Sequence, residues 1–146
     1  MNDKLILLVE DNADDEALTL RALKKNKLLN EVIVAHDGTE ALAFLFGNDG
    51  NGSGSGARLP ELVLLDLNLP KVNGLEVLRR IRLEERTKML PVVILTTSDE
   101  ERDRVESYKL GANSYIRKPV DFEQFSAAVQ QLGVYWLVLN LGPPLS

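Results

Sequence analysis

The side chains in this chain able to do chemistry lie just past the ends of short apolar runs. Leu62-Val63-Leu64-Leu65 runs without a polar break and stops on a carboxylate, Asp66. Leu5 to Val9 stops on Glu10 and Asp11, Val92 to Leu95 stops on Thr96, and Ser114-Tyr115-Ile116 leads through Arg117 to Lys118. Unbroken apolar runs of this length read as strands buried on both faces. In open parallel sheets, ligands sit at the carboxyl ends of the strands. Three carboxylates gathered at one such edge repel, and without a counter-charge at least one has a raised pKa. A hard divalent cation relieves the repulsion. Oxygen-only donors, with no His or Cys nearby, select Mg²⁺ or Mn²⁺ over zinc. Asn68, two residues beyond Asp66, returns to the same face, and its backbone carbonyl is a further candidate ligand.

A carboxylate can itself be a nucleophile and form an aspartyl phosphate. Asp66 is the candidate nucleophile, with Lys118 supplying positive charge to one phosphoryl oxygen and the Thr96 hydroxyl donating to another. Phosphoryl transfer asks for positioning and charge neutralisation more than for acid–base chemistry. Each residue alone has a plainer reading. Asp66 and Thr96 could cap loops or helices, Glu10 and Asp11 could be helix-start acids, and Lys118 could be a solvated loop lysine. Their joint placement, one set per strand end, makes the constellation specific. The only histidine, His36, reads as a structural or surface residue, and there is no Ser–His–Asp set.

The elements needed to position these groups alternate along the chain. Lys4 to Val9, Glu31 to Ala35, the run before Asp66, Val92 to Leu95, and Ser114 to Ile116 read as strands. The first helix follows the acids, with Asp14 or Asp15 as its cap and Leu18, Ala22 and Leu23 on one face. Thr39 opens a helix through Phe46. Gly74 to Glu85 forms a third, with Leu75, Val77, Leu78 and Ile81 inward and Arg79, Arg80 and Arg82 outward. Asp99-Glu100-Glu101 opens a fourth, closed by Gly111, and a fifth starts at Asp121. Five strand–helix alternations imply an α/β fold, a parallel sheet covered by helices on both faces. Residues 47–58 (GNDGNGSGSGAR) have linker composition and read as a mobile surface loop within one domain. These glycines do not follow a strand, and no Lys-Ser/Thr pair closes the run, so a phosphate-cradling loop is disfavoured.

The chain has 146 residues, 45% hydrophobic, enough for one domain with one sizeable core. It has no cysteine, which excludes disulfides and thiolate metal sites. The net charge of −5 disfavours a phosphate-backbone binder, so no nucleic acid partner is expected. No apolar run approaches the length of a membrane span, and a cytoplasmic protein without membrane contact is expected.

The series Glu10-Asp11, Asp66-Leu67-Asn68-Leu69-Pro70 with Gly74, Thr96, and Lys118-Pro119 resembles the receiver domain of two-component response regulators. The resemblance runs from about Lys4 to Leu132 and implies a CheY-like, flavodoxin-like three-layer sandwich with a five-stranded sheet of order 2-1-3-4-5. It implies that Asp66 is the phosphoacceptor for a histidine kinase in a phosphorelay, and that Glu10, Asp11, Asp66 and the Asn68 carbonyl hold Mg²⁺. It further implies that Lys118 pairs with the phosphoryl group, that the Lys118–Pro119 bond is cis, and that Thr96 and Tyr115 form a switch pair. Ala13-Asp14-Asp15-Glu16, the glycine-rich insert, Leu95-Thr96-Thr97-Ser98 and the tail from Leu132 to Leu137 resemble the stand-alone regulators that partner phytochrome-type histidine kinases. Thr97 departs from the Ala or Gly often found beside the switch threonine, which bears on the lifetime of the phosphorylated state.

Residues 1–132 are thus expected to be a receiver. Residues 133–146 are expected to be an apolar extension, with no separate output domain. Val134, Tyr135, Trp136 and Leu137 either fold back on the core or form a partner surface, and a homodimer built on the last helix and its extension is expected. The alternative is a metal-dependent phosphohydrolase with an Asp nucleophile. Such enzymes often carry a second Asp two residues later as general acid, and here that position is Asn68. A flavin binder is disfavoured because Glu10 and Asp11 would repel a bare phosphate. The resemblance therefore implies a signalling protein that catalyses its own phosphorylation and slow dephosphorylation and is not a turnover enzyme.

Overall fold

Three strands of this chain are apolar at every position except Thr96, and all three are buried along their full length. They are β1 (Leu5–Val9), β3 (Leu62–Leu65) and β4 (Val92–Thr96). Each must be covered on both faces, so they take the centre of the sheet. The shorter or more polar β2 (Glu31–Ala35) and β5 (Ser114–Arg117) take the edges. The sheet is parallel throughout, in the order β2-β1-β3-β4-β5. The helices are α1 (Ala13–Lys25), α2 (Gly38–Phe46), α3 (Gly74–Leu83), α4 (Glu101–Lys109) and α5 (Phe122–Gly133). The structure is a computed structural model that describes residues 5–25, 31–47, 59–98, 100–118 and 121–133. Most of the glycine-rich insert, Pro119 and everything from Val134 onward lie outside the described residues.

Side chains alternate across a strand, so each central strand feeds two cores. Leu7, Val9, Val63, Leu65, Val92 and Ile94 pack with Ala41, Leu45 and Phe46 of α2 and Val77, Leu78 and Ile81 of α3. Ile6, Leu8, Leu62, Leu64, Val93 and Leu95 pack with Ala22 and Leu23 of α1 and Phe125 and Val129 of α5. The three-layer α/β sandwich expected from the sequence is the fold observed. Among the described residues no helix is long and apolar enough to cross a membrane.

Several boundaries differ from the sequence reading. The cap of α1 is Asn12, whose Oδ1 accepts from the Asp15 N–H at 2.9 Å; Asp14 and Asp15 sit inside the first turn, where acids suit the helix dipole. The second helix begins at Gly38, capped by Asp37, rather than at Thr39. The third ends at Leu83, two residues early. Arg82 does not simply face solvent: Nε and Nη2 donate to the Gly111 carbonyl at 2.9 and 2.8 Å, and Nη2 also donates to Asn113 Oδ1 at 2.9 Å. Gly111 closes α4 as expected, with φ of 99° and the Schellman pair of hydrogen bonds, Gly111 N–H to Tyr108 and Ala112 N–H to Ser107.

Candidate functional site

Register brings the chemistry together. Val9 pairs with Leu65, and Leu65 with Ile94, so Glu10 and Asp66 leave the sheet side by side and Thr96 ends the next strand one step further on. Asp66 is held first by backbone: its N–H donates to the Val9 carbonyl at 3.1 Å. Its Oδ1 accepts from Thr96 Oγ1 at 2.8 Å and from the Asn68 N–H at 3.2 Å, and its Oδ2 accepts from Lys118 Nζ at 3.2 Å. Asp66 is 6% exposed and Glu10 1%, whereas Asp11 faces solvent.

Lys118 enters from the end of β5, its N–H tied to the Thr96 carbonyl at 2.7 Å. Its buried ammonium donates to Glu10 Oε1 at 2.5 Å, to Asp15 Oδ2 at 2.9 Å and to Asp66 Oδ2. Burial pulls its pKa down, but the bonds to Glu10 and Asp15 and the Asp66 charge outweigh that and hold it above the usual range. Burial pushes the Glu10 carboxyl up to about 7; the Asp66 charge adds to this, and the bond from Lys118 opposes it. Glu10, Asp11, Asp15 and Asp66 carry four acids, and one ammonium cannot neutralise them all.

That excess is the test of whether a divalent cation fits. Glu10, Asp11 and Asp66 each offer a carboxylate oxygen, all within 4.8 Å of one another. The donors are hard oxygens, two of the three residues are buried, and the local charge is negative, so the set fits Mg²⁺ or Mn²⁺ chemistry. Asn68 is exposed, and the interaction it makes with Asp66 is through its backbone N–H.

From Thr96 a chain of contacts leads away from the acids. The Ser98 N–H donates to Thr96 Oγ1 at 3.3 Å, Tyr115 OH donates to the Ser98 carbonyl at 3.1 Å, and Ser98 Oγ donates to Asp103 Oδ2 of α4 at 2.6 Å. Thr96 does not cap α4; the residue at that cap, Glu100, makes no side-chain capping bond. Tyr115 is half-buried. The β3–α3 loop is held equally tightly. A Cβ on Gly74 would lie 2.2 Å from the Asp66 carbonyl oxygen, and one on Gly38 would lie 1.8 Å from that of Val72.

The structure thus gathers Glu10, Asp11, Asp66, Thr96 and Lys118, and it leaves His36 apart, exposed between Glu16 and Glu40. Sequence reasoning missed Asp15 as a partner of Lys118 and Ser98 as the link between Thr96, Tyr115 and α4. Pro119, with its expected cis bond, and Val134, Tyr135, Trp136 and Leu137 fall outside the described residues.

A family model described as the response regulator receiver domain matches residues 6–130. The chain belongs to this family. The response regulator Rcp1 of Synechocystis sp. (strain ATCC 27184 / PCC 6803 / Kazusa) is 41% identical over 134 residues, 92% of this chain and 89% of Rcp1, and its solved structures include a Mn²⁺-bound form. The phosphorylated cyanobacterial phytochrome response regulator RcpA superposes with a TM-score of 0.87 at 40% identity, covering 97% of this chain and 99% of RcpA. The bacteriophytochrome response regulator AtBRR is 51% identical with a TM-score of 0.73, covering 97% of this chain and all of AtBRR. The receiver is therefore a phosphorelay response regulator, homologous to phytochrome response regulators over nearly its whole length. Receiver domains bind a divalent metal, and the acidic cluster here is the matching feature.

Proposed function

We propose that Asp66 accepts a phosphoryl group from the phosphohistidine of a phytochrome-type histidine kinase and that the protein then signals through contacts with other proteins. The observation that carries this is the convergence of Thr96 and Lys118 on the two oxygens of one buried carboxylate, Asp66. An Asp66 oxygen forms the new O–P bond while the P–N bond to the donor imidazole breaks, and the imidazole nitrogen keeps the electron pair. Glu10, Asp11, Asp66 and the Asn68 carbonyl would hold Mg²⁺, with Mn²⁺ able to replace it. The bound ion supplies charge neutralisation to the transferring oxygens. The Thr96 hydroxyl and the Lys118 ammonium each turn from Asp66 towards a phosphoryl oxygen. Thr96 then draws on Ser98, whose carbonyl holds Tyr115 and whose hydroxyl holds α4, so Tyr115 and the first turn of α4 are the segments that respond. The new charge shifts an existing equilibrium between two positions of this loop.

In this reading residues 1–132 form a receiver with no turnover of an external substrate, working in the cytoplasm. The apolar extension of residues 133–146 builds a homodimer. The phytochrome-type partner rests on the likeness to RcpA and AtBRR across nearly whole chains. Asp66→Asn is expected to abolish Mg²⁺-dependent labelling by acetyl phosphate or a kinase. Labelling that persists in this variant would remove Asp66 from its role.

A further inference from the structure

Among the described residues Lys118 has three carboxylate partners, and the proposed chemistry uses two of them. Glu10 and Asp66 belong to the cation cluster. Asp15 does not: it comes from the first turn of α1, 103 residues from Lys118 in sequence, and its Oδ2 accepts from Nζ at 2.9 Å. The Asp15 side chain is 28% exposed, against 4% for Lys118, so it closes the solvent side of the ammonium. Asp15 is itself fixed at both backbone groups. Its N–H donates to Asn12 Oδ1 at 2.9 Å, and its carbonyl accepts from Thr19 Oγ1 at 2.9 Å.

The arrangement has a consequence once a divalent cation binds. The residues that would hold it include Glu10 and Asp66, the same two side chains that hold Lys118 from within. The ammonium would then lose much of its attraction to them. A lysine carries four rotatable bonds and readily leaves a weakened site. Asp15 is the partner that the cation does not take. We propose that Asp15 is a positioning residue for phosphoryl transfer: it holds Lys118 beside Asp66 in the cation-loaded protein, ready for the incoming phosphoryl oxygen. This rests on the reading of Asp66 as phosphoacceptor.

The test compares the full-length protein with Asp15→Asn and Asp15→Glu at saturating Mg²⁺. The rate of acetyl phosphate labelling, the Mg²⁺ affinity by calorimetry and the Lys118 ammonium signal in ¹⁵N NMR are read together. Asn keeps the shape but not the charge, and loss of one charge-assisted hydrogen bond is expected to slow labelling roughly tenfold. Mg²⁺ affinity is expected to stay at the wild-type value, because Asp15 is not among the cation's ligands. The Lys118 ammonium signal, protected in the Mg²⁺-loaded wild type, is expected to broaden in Asp15→Asn, and Asp15→Glu is expected to recover most of the rate. Wild-type labelling by Asp15→Asn would overturn the proposal, as would a loss matched by an equal loss of Mg²⁺ affinity. A slowed Asp15→Glu with an intact ammonium signal would also overturn it. Should Asp15→Asn fail to fold, Asp15→Glu and the wild-type ammonium signal decide. Failure of the wild type itself to be labelled would instead sink the reading of Asp66, so the two failures are distinct.

Discussion

Lys118 is buried among acids that outnumber it, and its removal separates two roles. Lys118→Ala leaves Glu10 and Asp66 buried without their ammonium, and removing one partner of a buried ion pair costs about 3–5 kcal/mol. Mg²⁺ held by the same carboxylates, as proposed, would offset that cost. The thermal midpoint of Lys118→Ala is therefore expected to fall well below wild type in chelator and to rise more steeply with Mg²⁺ than wild type does. The phosphorylated variant is also expected to lose the phosphorylation-dependent shift of Tyr115 ring signals in NMR, because Lys118 no longer anchors the phosphoryl group that draws Thr96 inward. An unchanged shift would count against the coupling role of Lys118. At this scale the sequence was legible where a polar residue ended an apolar run, as with Glu10, Asp66 and Thr96, and Lys118 was legible from its place just past the last short strand. Asp15 was not legible, because an acid in the first turn of a helix is already explained by the helix dipole. Only the folded sheet edge brings it to Lys118. Ser98 escaped for a related reason: its role runs through its backbone carbonyl and a short-range contact to Asp103, neither of which leaves a mark in residue type.

Helices and loops, one scale up, set how rigidly the acids are held. The β3–α3 loop turns with Lys71 at φ of 67° and ends on Asn73, whose Oδ1 caps α3 by accepting from the Glu76 N–H at 3.0 Å. Gly74 then packs so closely on the strand end that its N–H donates to the Leu67 carbonyl at 3.0 Å. An added Cβ at Gly74 would press on backbone, the Asp66 carbonyl oxygen and Leu67 Cα at 2.7 Å, which cannot give way as a flexible side chain can. Gly74→Ala is expected to destabilise by about 1–3 kcal/mol through this overpacking and to slow acetyl phosphate labelling by displacing Asp66. Denaturant midpoints and labelling rates check both arms, and wild-type values in both would show that the close approach carries no constraint. The glycine was visible in the sequence as a helix start and as part of the receiver-like motif, but its purpose was not. Turn chemistry is local, whereas the contact it permits is between a helix start and a strand end. The cap of α1 was misassigned because Asn12, Asp14 and Asp15 all suit a helix start, and only hydrogen-bond geometry selects Asn12.

Over the whole molecule, the fold was legible because its central strands are nearly unbroken apolar runs and α1, α2, α3 and α5 each carry an apolar face, whereas α4 buries only Ser107. That pattern admits a sheet covered on both faces and little else, and the alternating side chains of β1, β3 and β4 fill both cores. The apolar run Val134-Tyr135-Trp136-Leu137-Val138-Leu139 follows α5 in sequence and lies outside the described residues. Phe125 and Val129 already seal α5 against the sheet, and α1 lies alongside it. An apolar segment that does not fold back on its own chain would seek another surface, and a second copy of the same chain offers a self-complementary one. The full-length protein is therefore expected to sediment as a dimer, and a chain ending at Leu132 as a monomer. The shortened chain is also expected to take a phosphoryl group from acetyl phosphate, because Glu10, Asp11, Asp66, Thr96 and Lys118 all precede the cut. A shortened chain that still dimerises would move the interface elsewhere. One that sediments as a monomer but no longer accepts the phosphoryl group would mean that the extension supports the sheet edge rather than a partner.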